Sequence, residues 1–234
     1  AWSKITRGVF KLRKKNRKYN CVIFDWDGTI MDSAAQIVSA VIDSAKKNGL
    51  NVPSDKSVRV GIGTSFEAQY QRLFLHDKTQ GKRDYANEVF TSFQKDFYHV
   101  YNSNTPKLFP GVEDIIAELN ADGVITAIAT SGTRAMLNSM LTKFKLNDSF
   151  LFTCCGDEFP AKPNPDMLEQ ILLESDFLSK DAVMLGDSVY DIYSANNAHI
   201  DSYGVATGVS SKNDLVGAGA IEVVDDIREI VAYL

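Results

Sequence analysis

The sequence predicts an α/β fold in which a doubly wound parallel sheet carries an inserted, all-helical unit. Short apolar runs that are typical of buried strands alternate with amphipathic helical segments from Cys21 onward. Such alternation favours a parallel sheet covered by helices on both sides. It is interrupted once, between residues 33 and 105, where no strand-like run occurs and apolar residues repeat at helical spacing.

The same patterns predict the individual elements. Strands are expected at 21–26, 124–130, 152–155, 182–185, 202–206 and 221–224. Helices are expected at 112–121, 134–144, 165–175 and 191–197. Asn164 is placed to cap the third of these helices, with Pro165 in its first position. A last helix should follow Asp225 as its cap, because the apolar residues beyond it share one face.

The interruption in the strand pattern predicts a small helical bundle. An aromatic stripe at helical spacing supports it, and such stripes are nearly always packing. Its members are Phe90, Phe93, Phe97 and Tyr101. We therefore divide the chain into a basic arm (1–20), a core domain (21–32 with 106–234) and a helical insertion (33–105).

Charge is distributed unevenly along the chain. Residues 1–20 contain eight Lys or Arg and no acid, whereas the whole chain has 25 basic and 30 acidic residues. We interpret the arm as a solvated leader; contact with nucleic acid, anionic lipid or an import apparatus is the alternative. No specific nucleic-acid partner is expected.

Hydropathy and cysteine usage predict a cytoplasmic protein. No apolar run is long enough to span a bilayer, and none has the layout of a signal peptide. The three cysteines, Cys21, Cys154 and Cys155, lie in apolar strand-like runs and lack the Cys-x-x-Cys spacing of a zinc or redox site. This usage favours a reducing compartment.

Two carboxylates follow the first predicted strand. Asp25 and Asp27 belong to the run Asp-x-Asp-Gly-Thr, which ends at Thr29. Groups at the carboxyl ends of parallel strands are where open α/β sheets bind ligands. Gly28 lets the backbone approach a bound anion closely. The chemistry of the protein is therefore expected here.

Three further segments end in polar or charged residues. The predicted strand 124–130 ends in Thr130, and Lys162 stands before Pro-x-Pro-Asp. Asp187 follows another strand-like run, and Asp191 comes four residues later. Each residue alone has an ordinary structural explanation, so it is their order and combined chemistry that indicate a functional site.

In this order, the four segments closely resemble the motifs of the haloacid dehalogenase-like superfamily of aspartate-nucleophile phosphotransferases. The resemblance extends from about Cys21 to the C-terminus. The stretch 28–33, the helical insertion after it and the run Phe-Pro-Gly-Val at 109–112 resemble, more narrowly, the phosphoglycolate phosphatase branch. The insertion then corresponds to the helical cap of this family.

The resemblance implies a role for each motif residue. Asp25 is the nucleophile that forms an aspartyl-phosphate. Asp27 is the general acid toward the leaving alcohol and then the base toward water. Thr130 and the neighbouring Ser131 and Gly132 bind phosphoryl oxygens.

Charge neutralisation argues for a cation at this site. A phosphate monoester dianion repels an attacking carboxylate, so the site must supply positive charge. Lys162 and Mg²⁺ would do so. Magnesium prefers oxygen ligands, which Asp25, the backbone carbonyl of Asp27 and Asp187 can provide.

Two sets of residues complete the expected site. Asp191 should orient a metal-bound water or the ligand shell from outside, and Thr29 should support the loop through its hydroxyl. In the cap, a loop is expected either to face the site or to form a simple turn between helices; its residues are Arg59, Gly61, Ile62, Gly63, Thr64, Ser65 and Phe66.

The leading functional hypothesis is a Mg²⁺-dependent phosphatase of a small phosphorylated metabolite, with phosphoglycolate as the nominal substrate. A sugar-phosphate mutase uses the same two aspartates and differs in returning the phosphoryl group to substrate. A phospho-receiver signalling module also combines strand-end acids, Thr and Lys, but it does not need the helical insertion.

Overall fold

The computed structural model describes residues 17–75, 84–103 and 106–234. The central sheet contains β1 (Cys21–Phe24), β4 (Ile125–Thr130), β5 (Phe152–Cys155), β6 (Ala182–Gly186), β7 (Asp201–Val205) and β8 (Val223–Val224). A second sheet pairs β2 (Met31–Asp32) with β3 (Lys107–Leu108). The helices are α1 (Ala34–Lys47), α2 (Asp55–Arg59), α3 (Phe66–Phe74), α4 (Asp84–Ser103), α5 (Val112–Ala121), α6 (Arg134–Phe144), α7 (Asp166–Ser175), α8 (Val189–Asn197) and α9 (Lys212–Ala218). Two 3₁₀ segments lie at Ser179–Asp181 and Ile227–Ala232.

The six-stranded sheet is parallel and doubly wound, with strand order β5-β4-β1-β6-β7-β8. All four residues of β1 are buried, because helices cover both faces of the sheet. Val22 and Phe24 pack into one apolar cluster, while Cys21 and Ile23 pack into a second cluster on the opposite face. The alternation follows from the two-residue period of a strand. The predicted α/β fold is confirmed.

The helical cap lies between β2 and β3, in the interval that lacks strand-like runs. These two strands pair antiparallel, with Met31 opposite Leu108 and Asp32 opposite Lys107. The two chain segments that connect the cap with the sheet are therefore held side by side. Helices α1 and α4 pack together, and the three phenylalanines of the aromatic stripe of α4 contact Phe66 of α3. The expectation of a helical insertion is confirmed.

Several boundaries differ from those predicted. The first strand ends at Phe24, since the chain turns after Asp25. Helix α7 begins at Asp166, with Pro165 in the cap position, because the Asn164 side chain donates to the Ala161 carbonyl instead of capping. Helix α8 begins at Val189, two residues before the prediction.

The last segment also departs from the prediction. It is a 3₁₀ segment, and Asp226 caps it by accepting from the Arg228 amide. Asp225, the predicted cap, pairs with Lys212 instead. Apolar spacing over two turns cannot separate an α-helix from a 3₁₀ helix, which explains the difference.

Residues 17–20 of the basic arm are bound to the core. Arg17 donates to the Asp122 carboxylate at 2.7 Å and to Glu118, and the buried Tyr19 donates to Asp201 at 2.6 Å. The interpretation of residues 1–16 as a solvated leader lies outside the described residues. Among the described residues, Cys21, Cys154 and Cys155 are free and buried. No described helix has the length and apolar character needed to cross a membrane.

Candidate active site

The candidate site lies at the carboxyl ends of the three central strands. Asp25 and Asp27 follow β1, Thr130 ends β4, and Asp187 follows β6. Lys162 reaches the same edge from the loop before α7. Parallel strands place their carboxyl ends along one edge, so residues far apart in sequence meet here.

Lys162 joins two of the carboxylates. Its ammonium donates to Asp25 Oδ1 at 2.6 Å and to Asp191 Oδ1 at 2.5 Å, and all three side chains are buried. Burial lowers the pKa of Lys162, but the charges of Asp191 and Asp25 outweigh this effect and raise the pKa. Lys162 is therefore a permanent positive charge at the floor of the site.

Asp187 is held by the two loops around it. Its Oδ1 accepts from the Thr29 hydroxyl at 3.1 Å, and its Oδ2 accepts from the Val209 amide at 2.9 Å. A Cβ at Gly28 or Gly208 would lie within 2.5 Å of the Asp187 carboxylate. Only glycine leaves room for the carboxylate at these two positions.

Asp191 is occupied by protein donors on both oxygens. Oδ1 accepts from Lys162, while Oδ2 accepts from the Ser188 amide at 3.0 Å and the Ser188 hydroxyl at 2.7 Å. This Ser188–Asp191 pair is the capping box of α8. Asp191 thus connects the start of a helix with Lys162.

The acidic cluster has the chemistry of a divalent cation site. One oxygen from each of Asp25, Asp187 and Asp191 lies within 4.8 Å of the others, and all three residues are buried. Lys162 supplies one positive charge against these three carboxylates. Burial and the charge of Asp191 raise the pKa of Asp187 to about 7, and burial raises the pKa of Asp25 well above its usual range. Carboxylate oxygens in this arrangement fit a hard cation such as Mg²⁺.

Asp27 is held apart from the cation cluster by two hydroxyls. Ser33 donates to Asp27 Oδ1 at 2.6 Å, and Tyr101 donates to the same oxygen at 3.0 Å. Burial raises the pKa of Asp27, and these two donors oppose that rise. Asp27 lines the same pocket as Asp25. Its other oxygen, Oδ2, lies toward Gly132, 3.9 Å from the place of a Cβ on that residue.

The loop after β4 forms the opposite side of the pocket. Thr130, Ser131 and Gly132 all line it. The Thr130 hydroxyl accepts from the Gly132 amide at 3.0 Å, which shapes the turn. The Ser131 hydroxyl donates to the Gly63 carbonyl at 2.7 Å and so ties this loop to the cap.

The predicted cap loop is only partly at the site. Ile62 and Gly63 line the pocket, and Gly63 has a positive φ of 98° that favours glycine. Gly61 does not line it, and a Cβ there would meet the side chains of Arg72 and Gln69. The loop therefore covers the site through its second half.

Several pocket residues were absent from the sequence prediction. They are Ile37, Gln69, Phe97, Tyr98, Thr133 and Met136. Ser33 and Tyr101, which contact Asp27, were also absent from it. Tyr101 belongs to the stripe that was assigned to packing, and it both packs on Phe97 and contacts Asp27. A tyrosine in an otherwise phenylalanine-rich stripe was the one available signal, since its hydroxyl needs a polar partner when buried.

The amino-acid sequence is similar to a known protein family and to individual members with assigned names. Residues 22–205 match the family model described as haloacid dehalogenase-like hydrolase. The chain is 26% identical over 217 residues to a phosphoglycolate phosphatase of Psychrobacter arcticus, covering 91% of this chain and 94% of that protein. It is 27% identical to a phosphoglycolate phosphatase of Vibrio cholerae, covering 90% of this chain and 94% of that protein.

Similarity to solved structures supports the same fold. A predicted phosphoglycolate phosphatase from Haemophilus somnus superposes with a TM-score of 0.82 at 22% identity, covering 93% of this chain and 99% of that chain. The family model covers most of the sheet and the entire cap, including the motifs that carry Asp25, Lys162 and Asp187. The chain therefore belongs to the haloacid dehalogenase-like hydrolase family.

Proposed function

We propose that this chain is a Mg²⁺-dependent phosphatase that hydrolyses a small phosphomonoester through an aspartyl-phosphate on Asp25. The observation that carries the proposal is the pairing of two carboxylates of different character in one pocket. Asp25 lies against Lys162, while Asp27 lies against the neutral donors Ser33 and Tyr101. Carboxylates in such different environments are suited to different roles, one as nucleophile and one as acid and base.

The first step is phosphoryl transfer to the protein. An Asp25 carboxylate oxygen attacks phosphorus, and the bond between phosphorus and the ester oxygen breaks. Asp27, protonated on Oδ2, gives its proton to the departing alkoxide. Lys162 offsets the negative charge that accumulates around Asp25. Thr130, Ser131 and Gly132 line one side of the pocket and are the residues that we propose bind the phosphoryl oxygens.

The second step releases phosphate. Asp27 is now a carboxylate and takes a proton from the water that attacks the aspartyl-phosphate. The bond between phosphorus and Asp25 then breaks, and both aspartates return to their starting states. General acid and base assistance of this kind is worth ~10²–10⁴-fold in rate.

Asp25, the Asp27 carbonyl and Asp187 are the proposed ligands of Mg²⁺. When bound, the ion supplies positive charge to the transferring phosphoryl group. Asp191 uses both carboxylate oxygens in contacts with Lys162 and Ser188, which supports an outer position for it. Thr29 orients Asp187 through its hydroxyl.

Phosphoglycolate is the substrate named for relatives that are 26–27% identical, so it is the first phosphomonoester to test. The proposed partner is a small phosphorylated metabolite. We also propose a reducing cytoplasmic location, which the buried free cysteines support. The paired strands β2 and β3 support the proposed boundaries of the cap, 33–105.

The decisive experiment compares wild type with Asp25→Asn, with Asp32→Asn as the matched control. Asp32 is exposed at the end of β2, where the chain enters the cap, and does not line the pocket. Released phosphate is measured for a panel of esters with and without Mg²⁺, and the phosphorylated protein is sought by intact mass after acid quench. We expect Asp25→Asn to lose turnover and the phosphoprotein while remaining folded, and Asp32→Asn to retain both. Turnover of Asp25→Asn within a few-fold of wild type contradicts the proposal.

Product analysis separates a phosphatase from a mutase. In a phosphatase the label of a phosphomonoester appears as inorganic phosphate, whereas in a mutase it returns to the substrate. A phosphoprotein that persists without release of phosphate indicates a receiver module instead.

A further inference from the structure

The cap side of the pocket is apolar and uncharged. Ile62 and Phe66 come from the cap loop and the start of α3, Ile37 comes from α1, and Phe97 comes from α4. Met136 of α6 completes this wall from the core. Because the phosphoryl group must lie near Asp25 at the floor, the alcohol part of a substrate meets this wall.

The polar residues of the same wall are neutral. Thr64, Gln69 and Tyr98 line the pocket, and the Gln69 amide already donates to the Val58 carbonyl at 2.9 Å. These groups can exchange hydrogen bonds with a hydroxyl or amide, but none carries a positive charge at neutral pH.

In the described parts of the cap, residues 33–75 and 84–103, no Lys, Arg or His lines the pocket. Lys47 pairs with Asp96, Arg59 pairs with Asp55, and Arg72 donates to the Ser57 carbonyl. Lys56, Lys95 and His99 are exposed.

The floor of the pocket carries more negative than positive side chains. Three buried carboxylates, Asp25, Asp187 and Asp191, lie near one ammonium, Lys162. Lys162, the ammonium at this floor, lies beside Asp25 and offsets the charge of the phosphoryl group. A second anionic group on the alcohol part would meet an apolar wall to which the described residues of the cap bring no positive charge, which is costly.

From this wall we propose that the substrate is the phosphate monoester of an uncharged alcohol with a hydrocarbon or aromatic part, and that esters whose alcohol carries a carboxylate or a second phosphate are disfavoured. The inference rests on the proposed phosphatase function and specifies its substrate class. It predicts that phosphoglycolate itself is a poor substrate, since its alcohol part, glycolate, carries a carboxylate.

The test compares two ligands of nearly equal shape. Phosphoglycolate and its carboxamide differ in one charge, and benzyl phosphate adds an aromatic alcohol part. We expect kcat/KM with Mg²⁺ to be at least about tenfold higher for the carboxamide than for phosphoglycolate, and highest for benzyl phosphate. Equal or higher kcat/KM for phosphoglycolate overturns the inference while leaving the phosphatase function intact.

A variant that introduces a positive charge tests whether the uncharged wall causes this substrate preference. Thr64→Lys places an ammonium in the wall, and Thr64→Met is the matched neutral variant, since both lose the bond from the Thr64 hydroxyl to the Gly61 carbonyl. We expect Thr64→Lys to raise the preference for phosphoglycolate over the carboxamide by about tenfold, as a charge-assisted hydrogen bond does, and Thr64→Met to leave it unchanged. If the preference is unchanged in both variants, the wall does not determine whether a charged alcohol part is accepted, and the inference is wrong.

Binding measurements distinguish a failure of this inference from a failure of the proposed phosphatase function. If no ester is hydrolysed, the phosphatase function is wrong, but calorimetry of Asp25→Asn with phosphoglycolate and with its carboxamide still reports the preference of the pocket. Tighter binding of the carboxamide supports the inference, and tighter binding of phosphoglycolate overturns it.

Discussion

The Tyr101 hydroxyl, at the end of the cap helix α4, donates to Asp27 Oδ1 at 3.0 Å. Ser33, at the start of the cap, donates to the same oxygen at 2.6 Å. Both ends of the cap therefore contact the proposed acid and base of the core. With Oδ1 occupied by two donors, Oδ2 is the oxygen left to carry the exchangeable proton.

Removing the Tyr101 hydroxyl should change the pH dependence of turnover. The bond stabilises the Asp27 carboxylate, so Tyr101→Phe raises the pKa of Asp27 further and moves both limbs of the pH profile of kcat to higher pH. A hydrogen bond to a charged group is worth about 1.5–3 kcal/mol, so the expected displacement is on the order of one pH unit.

The control for Tyr101→Phe is Tyr70→Phe. Tyr70 is buried in the same aromatic cluster, 5.2 Å from the Phe93 ring, and does not contact Asp27. Its variant should leave the pH profile unchanged. A displaced profile in both variants assigns the effect to cap packing rather than to the bond with Asp27.

Replacing Asp27 should affect poor leaving groups most. Asp27→Asn removes the proton donor, and an alkyl alkoxide depends on that proton more than an aryl oxide does. We expect a loss of ~10²–10⁴-fold for an alkyl phosphate and a much smaller loss for an activated aryl phosphate. Measuring kcat of wild type and Asp27→Asn with both esters tests this prediction. Equal losses of kcat for the two esters indicate that Asp27 acts through structure alone.

Stability without metal should fall as pH rises. The pKa of Asp187 is raised from 3.8 to about 7, so between these values the folded protein holds a proton that the unfolded chain has released. The stabilisation of the folded protein by this proton on Asp187 is complete below about pH 4 and is lost as pH rises through about 7. Thermal melts in chelator at pH 5 and pH 8 test this. Asp187→Asn should show a smaller difference between the two pH values than wild type.

The same melts with Mg²⁺ complete this prediction. A bound cation replaces the proton on the carboxylates, so Mg²⁺ should raise Tm more at pH 8 than at pH 5. A larger effect of Mg²⁺ at pH 5 contradicts the assignment of Asp187 as a ligand.

A methyl group at Gly208 should displace Asp187. A Cβ there would lie 1.7 Å from Asp187 Oδ2, so Gly208→Ala must move the carboxylate. We expect weaker binding of Mg²⁺, loss of turnover and destabilisation by about 1–3 kcal/mol from overpacking. Calorimetric titration with Mg²⁺ and chemical denaturation measure the two effects.

Gly217 provides the matched control for this change. It lies in helix α9, and apart from its chain neighbours and the backbone of its own helix no described atom lies within 4 Å of the place of its Cβ. Gly217→Ala should stabilise the protein by roughly 0.5–1 kcal/mol through helix propensity and leave Mg²⁺ binding unchanged. Weaker Mg²⁺ binding in both variants would show that the Gly208 effect is not specific.

The sequence by itself determined the sheet, the helical insertion and the approximate place of the site. Apolar runs define strands locally, and parallel strands bring their carboxyl ends to one edge. Asp25, Thr130 and Asp187 could therefore be placed near one another before any contact was known. The boundaries near Pro165 and Asp225 were less accurate, because several polar residues compete for each cap.

Only the tertiary structure decided how the cap meets this edge. The contact of Tyr101 with Asp27 joins residues 74 positions apart, and helical spacing assigns Tyr101 equally well to packing. Ile62 and Gly63 line the pocket and Gly61 does not, and the Ser131 hydroxyl of the core donates to the Gly63 carbonyl across this contact. Local periodicity reports which face of an element is buried, whereas the identity of its partner depends on the packing of the whole chain.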